Sequence, residues 1–371
     1  MTNAAVESMM PASILVVVTR RIGDVLLATP VIRSLRRKWP DAAIDVLVFA
    51  GTEGILAGNP DIRRVIKIAE RPTLQQHRAF AQQLWRSYDL ALSLIPGDRP
   101  VLYAWLAGRM RIGLVIDSPK HYWKRWLLNR WVPFENANAH TVQSYLRILT
   151  ALDVEPHSTV VAGWTEHDVT SANAKLNDAA IAGDFVVMHP SPKFAYKTWT
   201  LPGWRDVGNW LLAAGYRVVL TGGPDAIERD YVASIAASLP GAVNFAGKLS
   251  LAETGYVLSR AALYIGPDTA VTHLAAAVNT PVVALFGPTD PVKWGPWPAA
   301  NQDGSNAWQR IGSKRAGNVS LIQGMGTCVP CMEEGCQRHI DSLSDCLQQL
   351  PASRVIEAAR EMLQARAILQ K

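Results

Sequence analysis

Five times in each half of this 371-residue chain, a short run of β-branched and aliphatic residues is followed by a longer segment with helical spacing. Strands of this kind, apolar without polar alternation, are buried on both faces. They call for parallel sheets covered by helices on either side. In the first half the runs predict strands over Ile14–Thr19, Ile44–Phe49, Arg64–Ile68, Leu90–Ile95 and Arg111–Val115. Helices are predicted between them, among them Val25–Trp39 and Leu74–Tyr88. In the second half strands are predicted over Phe185–His189, Arg217–Thr221, Ala242–Phe245, Leu263–Ile265 and Val282–Phe286. The helices there include Trp204–Ala214, Ala226–Leu239, Ala252–Ser259 and Thr269–Val278. A strand-poor stretch near Ala151–Asn177 separates the two runs. The expected fold is therefore α/β, with two doubly wound domains over residues 1–170 and 171–350. A mixed amphipathic helix over Ala352–Leu369, within residues 351–371, is free to pack on either. With 49% hydrophobic residues, filling two cores is not in question.

Open parallel sheets bind ligands beyond the carboxyl ends of their strands. Two such domains facing each other would enclose a cleft, so the loops after the strands carry the functional expectation. In the second half these loops are "HPSPKFAYKTWTLPGW", "TGGPDAIERD" and "GPDTAVTHLAAA". In the last, Gly266 and Pro267 end a strand, and Asp268 and Thr269 are helix-capping types. The small residues that follow, beginning with Ala270, allow a close approach. The free N–H groups and dipole of a helix start suit a pyrophosphate. His273 shares a face with Thr269, Thr272 and Ala276 at helical spacing. A plain capped core helix with an internally satisfied His273 is the competing reading. No G-x-G-x-x-G follows a strand and no G-x-x-x-x-G-K-[ST] occurs, which disfavours a nicotinamide dehydrogenase and a P-loop nucleotidase.

In the first half the corresponding stretch is "RRIGDVLLATP", Arg20–Pro30. Asp24 stands at a helix start, where a carboxylate serves equally as a cap and as a general base. Gly23 leaves room for a substrate to approach the backbone.

Charge is uneven. Residues 1–165 carry 20 Lys and Arg against 13 Asp and Glu, whereas residues 166–371 carry 17 against 18. The basic first half suits an anionic partner or a merely solvated basic face. Arg20, Arg21, Arg109 and Arg111 are expected beside strand ends. The stretch Ser118–Phe134 mixes Lys120, Lys124, Arg125 and Arg130 with Trp123, Trp126 and Trp131, a composition suited to an anionic bilayer interface. Tryptophans packed inward from a covering helix would explain it equally well. No run approaches the roughly 20 apolar residues of a spanning helix, and no signal-peptide pattern opens the chain. A cytoplasmic location, peripheral to a membrane, is expected. No nucleic-acid-binding module is recognisable.

All four cysteines cluster as C-x2-C-x4-C-x9-C: Cys328, Cys331, Cys336 and Cys346. The choice lies between a small structural metal site and free thiols.

Together, "RRIGDVLLATPVIRSLRRKWPDAAIDVLV", "VVMHPSPKFAYKTWTLPGW", "VVLTGGPD" and "LYIGPDTAVTHLAAAVNTPVVALFGPTDP" resemble the family 9 glycosyltransferases, the ADP-heptose:lipopolysaccharide heptosyltransferases. The resemblance runs from about Ile14 to about Leu350, and "CVPCMEEGCQRHIDSLSDCLQQL" looks most like the heptosyltransferase III type. It implies a GT-B fold, with the acceptor bound by the first domain and the donor by the second. It further implies inverting transfer of L-glycero-D-manno-heptose from ADP-heptose to the lipopolysaccharide inner core (Kdo and heptose on lipid A). The location would be the cytoplasmic face of the inner membrane. No cofactor is implied. By the same resemblance Asp24 is the base, and Lys197 faces the donor phosphates with Ser191 nearby. Asp268, Thr269, Ala270 and His273 form the donor helix start. Glu228, or else Asp225, contacts the nucleoside, while Gly23, Arg20 and Arg21 lie toward the acceptor. Pro192 stands where a second hydroxyl is expected. Alternatives on the same fold are a sugar-nucleotide epimerase and a non-catalytic glycolipid-binding protein.

Overall fold

The computed structural model describes residues 10–135 and 137–369. They divide into two compact units. The first runs to Gly163 and takes in Gln302–Asn306; the second holds Trp164–Asn301 and resumes at Ala307.

In the first unit the order is β1 (Ser13–Val18), α1 (Ile22–Leu27), α2 (Thr29–Lys38), β2 (Ala43–Phe49), β3 (Arg64–Ile68), α3 (Leu74–Leu84), β4 (Tyr88–Ser93), α4 (Asp98–Ala107), β5 (Gly108–Val115), α5 (Trp123–Leu127), β6 (Arg130–Pro133) and α6 (Thr141–Leu146). The strands lie as β3-β2-β1-β4-β5-β6, all parallel. Ile14–Val18 is fully buried, as a central strand covered on both faces requires. Chain order reverses between β1 and β4, which puts the binding-prone switch point at the carboxyl end of β1.

Three local expectations change here. The helix expected over Val25–Trp39 is two helices. Ala28 ends α1, and Pro30, which has no N–H to donate, opens α2. The strand β6 was not expected, because four residues ending on proline, inside a tryptophan-rich stretch, carry little periodicity. As an edge strand it tolerates that proline. Arg109 and Arg111 lie in the first half of β5, at the amino end of the sheet and away from α1. Arg109 pairs there with Asp89, whose carboxylate also accepts the Ser13 N–H.

The second unit runs α7 (Glu166–Asp178), β7 (Phe185–Met188), α8 (Leu201–Ala213), β8 (Arg217–Leu220), α9 (Ala226–Ala237), β9 (Val243–Asn244), α10 (Leu251–Arg260), β10 (Leu263–Pro267), α11 (Ala270–Ala277), β11 (Val282–Phe286), α12 (Pro291–Trp294), β12 (Lys314–Ala316), β13 (Val319–Gln323), α13 (Asp345–Gln348) and α14 (Ala352–Leu369). Its sheet is ordered β12-β13-β11-β10-β7-β8-β9, with only β12 antiparallel. Chain order reverses between β7 and β10. The pair β12 and β13 was not expected, since Ser320 and Gln323 break the apolar run.

The division falls at Gly163 rather than after residue 170, because α7 packs on α10. Lys175 reaches Glu253 at 2.6 Å, and the Trp164 ring meets Tyr256 edge-on at 5.7 Å. The terminal helix α14 is not a separate segment. Its Val355, Ala359 and Met362 join the core of the second unit with Val207, Leu211, Leu263 and Leu285. Among the described residues no helix is long and apolar enough to cross a membrane.

Candidate functional site

In the second unit, the loops that follow β7 and β10 flank the switch point, and a partly buried ion pair joins them. Lys197 donates to Asp268 at 2.5 Å. Burial pushes the Asp268 carboxyl up, but Lys197 above all, with His273 and the Thr289 hydroxyl, holds it below the ordinary carboxylate range. Asp268 is therefore charged at neutral pH, and its charge partner is Lys197. His273 lies 3.9 Å from the same carboxylate. Burial lowers its imidazole to about 4, so it is neutral. Its Nδ1 is buried and has no hydrogen-bond partner among the described residues.

The division of labour in "GPDTAVTH" is now explicit. Thr269, not Asp268, caps α11: its hydroxyl accepts the Thr272 N–H at 3.3 Å. That leaves the Asp268 carboxylate for Lys197. Thr272 in turn donates to the carbonyl of Pro267 and meets the Tyr264 hydroxyl at 2.9 Å. The start of α11 is thus locked to β10, with Ala270 half-buried at its first turn.

Lys197 sits in a single 3-10 turn, Ala195–Lys197, that has little structure of its own. Distant residues hold it. The Ala195 N–H donates to the Ile340 carbonyl at 3.1 Å. The Ser344 hydroxyl donates to the Tyr196 carbonyl at 2.7 Å, and the Gln348 amide to the Thr198 carbonyl at 2.8 Å. Just beyond, the indole N–H of fully buried Trp199 donates to the Leu350 carbonyl at 2.9 Å. The Trp199 ring lies flush against Gly203, where a Cβ would come within 2.5 Å of it. None of these tethers was foreseen, because each partner lies about 150 residues further along the chain.

Ser191 is buried at the carboxyl end of β7. Its neighbour His189 contacts Thr221 at 3.0 Å, and burial lowers it to about 4. The structure does not direct Glu228 at the ion pair. Its carboxylate accepts the Gly223 N–H at 2.8 Å, so it braces its own turn. Asp225 caps α9 through the Ile227 N–H.

In the first unit Asp24 is 4% exposed and is the third residue of α1, not its cap; the cap position is Arg21. Its Oδ1 accepts a 3.0 Å hydrogen bond from the Tyr145 hydroxyl. Its Oδ2 lies 3.4 Å from Arg20 Nε. Burial, and then the Asp24 charge, push the Tyr145 phenol well up, so it remains a donor. Gly23 is half-buried beside Asp24 in α1, and Arg21 is exposed. A buried, anchored carboxylate at a switch point can take a proton from a hydroxyl brought to it.

The four cysteines are free thiols. Among the described residues no group of three or more His, Cys, Asp or Glu side chains is placed to hold a metal ion. Burial, and then the neighbouring Cys331, Cys328 and Cys336, push Cys346 up to about 12, so this thiol stays protonated. The structural contribution of this segment is through Ile340, Ser344 and Gln348, which restrain the Lys197 turn.

A family model described as glycosyltransferase family 9 (heptosyltransferase) matches residues 77–318. Lipopolysaccharide heptosyltransferase 3 of Escherichia coli is 33% identical over 290 residues, covering 74% of this chain and 83% of that protein. Among solved structures, a family 9 glycosyltransferase from Veillonella parvula superposes with a TM-score of 0.78 at 18% identity, covering 95% and 97% of the two chains. The E. coli heptosyltransferase WaaC with ADP superposes with a TM-score of 0.70 at 21% identity, covering 94% and 99%. The fold is of the GT-B class.

Proposed function

This chain belongs to glycosyltransferase family 9, and on that ground we propose that it transfers L-glycero-D-manno-heptose from ADP-heptose to the lipopolysaccharide inner core, with inversion at the anomeric carbon. The observation that carries the donor half is the Lys197–Asp268 pair beside the start of α11. ADP gains charge as its bond to the sugar breaks. Lys197 Nζ and the first-turn N–H groups of α11 are cation and dipole aimed at that charge. Asp268 holds the lysine in place, and it stays charged to do so. His273, neutral and with its Nδ1 unpartnered, offers a hydrogen bond to the pyrophosphate or the sugar. Ser191 adds a hydroxyl from the β7 loop.

Asp24 takes the proton of the attacking acceptor hydroxyl as the new glycosidic bond forms and the bond to ADP breaks. Tyr145 and Arg20 anchor the carboxylate and so fix its orientation. Gly23, Arg20 and Arg21 stand on the acceptor side, where Kdo carboxylates and core phosphates bring negative charge. The donor of this reaction is cytoplasmic and its acceptor is borne on lipid. A peripheral position at the cytoplasmic face of the inner membrane follows from that reading.

The test is ADP release from ADP-heptose in the presence of defined, deacylated inner-core acceptors. Release that depends on one acceptor supports the assignment and identifies the subtype. ADP-heptose turnover without any acceptor, giving an isomerised sugar, would replace it with an epimerase.

A further inference from the structure

Four thiols gather in the second unit, on the segment between β13 and α14 that restrains the Lys197 turn, and the transfer reaction uses none of them. Cys346 is their fixed point. It is buried, and a Cβ added at Gly287, just past β11, would lie 3.2 Å from its Sγ. The other three converge on it. Cys336 Sγ accepts the N–H of Asp345, next to Cys346, at 3.3 Å. Met332, next to Cys331, donates its N–H to the Pro288 carbonyl at 2.8 Å, and Pro288 adjoins Gly287. Val329, next to Cys328, is buried in the same core as Cys346 and Leu347.

These thiols are not equivalent. Cys346 is packed away and stays protonated, so its part is structural. Cys328 and Cys336 are exposed and Cys331 is half-buried, within reach of a small oxidant. Cys328 and Cys331 also stand as C-x2-C, the spacing at which two thiols of one loop close on each other. Between them Val329 packs with Cys346 and Leu347, and the Met325 N–H donates to the Cys346 carbonyl at 2.9 Å. Cys346 and Leu347 lie in turn between Ser344 and Gln348. Those two side chains hold the Tyr196 and Thr198 carbonyls on either side of Lys197. A continuous packed path thus runs from the C-x2-C loop to the lysine.

Resting on the reading that Lys197 serves the ADP leaving group, we propose that Cys328 and Cys331 are a thiol–disulfide site whose oxidation weakens the hold on the donor. The oxidant is a low-molecular-weight disulfide such as oxidised glutathione. The exposed Cys328 attacks it as a thiolate and releases one glutathione. The Cys331 thiolate then attacks Cys328 Sγ in the mixed disulfide and releases the second. Two protein thiols give up two protons and two electrons, and the oxidant becomes two thiols. A disulfide imposes a narrow geometry of its own. Closed across Val329 and Pro330, it shifts Val329 within a core too densely packed to absorb the change locally. The shift passes through Cys346 and Leu347 to the two tethers, and the Lys197 turn loosens. In a reducing compartment such a bond is transient, which makes the site a sensor and not a staple.

The experiment compares the full chain reduced with dithiothreitol and equilibrated with oxidised glutathione. Mass spectrometry of unreduced peptides reads the pairing, calorimetry reads the affinity for ADP, and steady-state kinetics read both substrates. Oxidation should join Cys328 to Cys331 and leave Cys346 a free thiol. The affinity for ADP should fall several-fold, and the KM for ADP-heptose should rise to match. The acceptor KM should not move, and dithiothreitol should restore the reduced values. Cys328→Ser and Cys331→Ser should each behave as the reduced protein and ignore the oxidant, whereas Cys336→Ser should still respond. Failure of the pair to form would overturn the proposal. So would a pair that forms without changing the affinity for ADP, or a response that survives Cys331→Ser. An ADP affinity that follows the disulfide in a protein that transfers no heptose would leave the site standing and remove the transferase reading instead.

Discussion

The hydroxyl of Tyr145 on α6 donates a 3.0 Å hydrogen bond to Oδ1 of Asp24 on α1, between residues 121 positions apart in the chain. The bond is buried, and the phenol is held protonated. It anchors Oδ1, while Oδ2 lies 3.4 Å from Arg20 Nε. Asp24→Asn keeps a similar shape and is expected to lower kcat by about 10² to 10⁴, the range of general acid–base catalysis. Tyr145→Phe should leave the base chemically intact but loosely held, costing roughly 1.5–3 kcal/mol for a hydrogen bond to a charged group. Turnover and thermal unfolding of the two variants separate the roles. Tyr145→Phe should also move the acidic limb of the pH–rate profile, whereas a purely structural tyrosine would leave that limb in place.

Lys197 and Asp268 are expected to behave as one unit. Lys197→Ala should raise the KM for ADP-heptose and lower kcat/KM by about 10² to 10³, the usual cost of losing one preorganised partner of a leaving group. It also strands a buried carboxylate, so stability should fall by roughly 3–5 kcal/mol. Asp268→Asn should weaken donor binding through a lysine that is present but no longer held. A double-mutant cycle on kcat/KM checks this. Additive effects would separate the two residues.

The tethers from Ser344 and Gln348 to the Lys197 turn make a remote prediction. Ser344→Ala combined with Gln348→Ala removes two neutral hydrogen bonds, each of about 0.5–1.5 kcal/mol. The KM for ADP-heptose should rise several-fold. The KM for the acceptor should not change. Steady-state kinetics in both substrates decides it.

His189 and His273 are buried and titrate near 4 when folded, against about 6.5 when unfolded. The folded state therefore binds fewer protons than the unfolded state between these values. The stabilisation is complete above pH 6.5 and is lost as pH falls toward 4, by on the order of 3 kcal/mol for each histidine. Unfolding midpoints measured from pH 7.5 to 4.5 should decline across this window. His189→Gln should flatten the decline. A midpoint independent of pH down to 5 would show that neither imidazole is held neutral.

Much of the architecture is legible in local pattern. Runs such as "ILVVV" and "VVALF" must be central parallel strands, since nothing in them tolerates water. The motif residues Asp24, Lys197, Asp268 and Thr269 stand out because loops after such strands carry function. What escaped is what periodicity does not encode. The edge strand β6 is too short to show a period. The break at Ala28 depends on how Pro30 meets the preceding turn. Arg109 and Arg111 read as functional arginines until β5 put them at the amino end of the sheet.

By itself, then, the sequence determined two α/β units, the loops that matter and the chemical types within them, because burial pattern and turn chemistry are local. The tertiary structure alone decided the pairings. It gave Asp24 to Tyr145 and Asp268 to Lys197, left the helix cap to Thr269, and turned Lys124 and Arg125 inward while Trp126 faced out. The physical reason is one of range. A hydrogen bond acts over about 3 Å of space, whereas Lys197 and Asp268 stand 71 positions apart in the chain and Asp24 and Tyr145 stand 121 apart, spans that no local signal bridges.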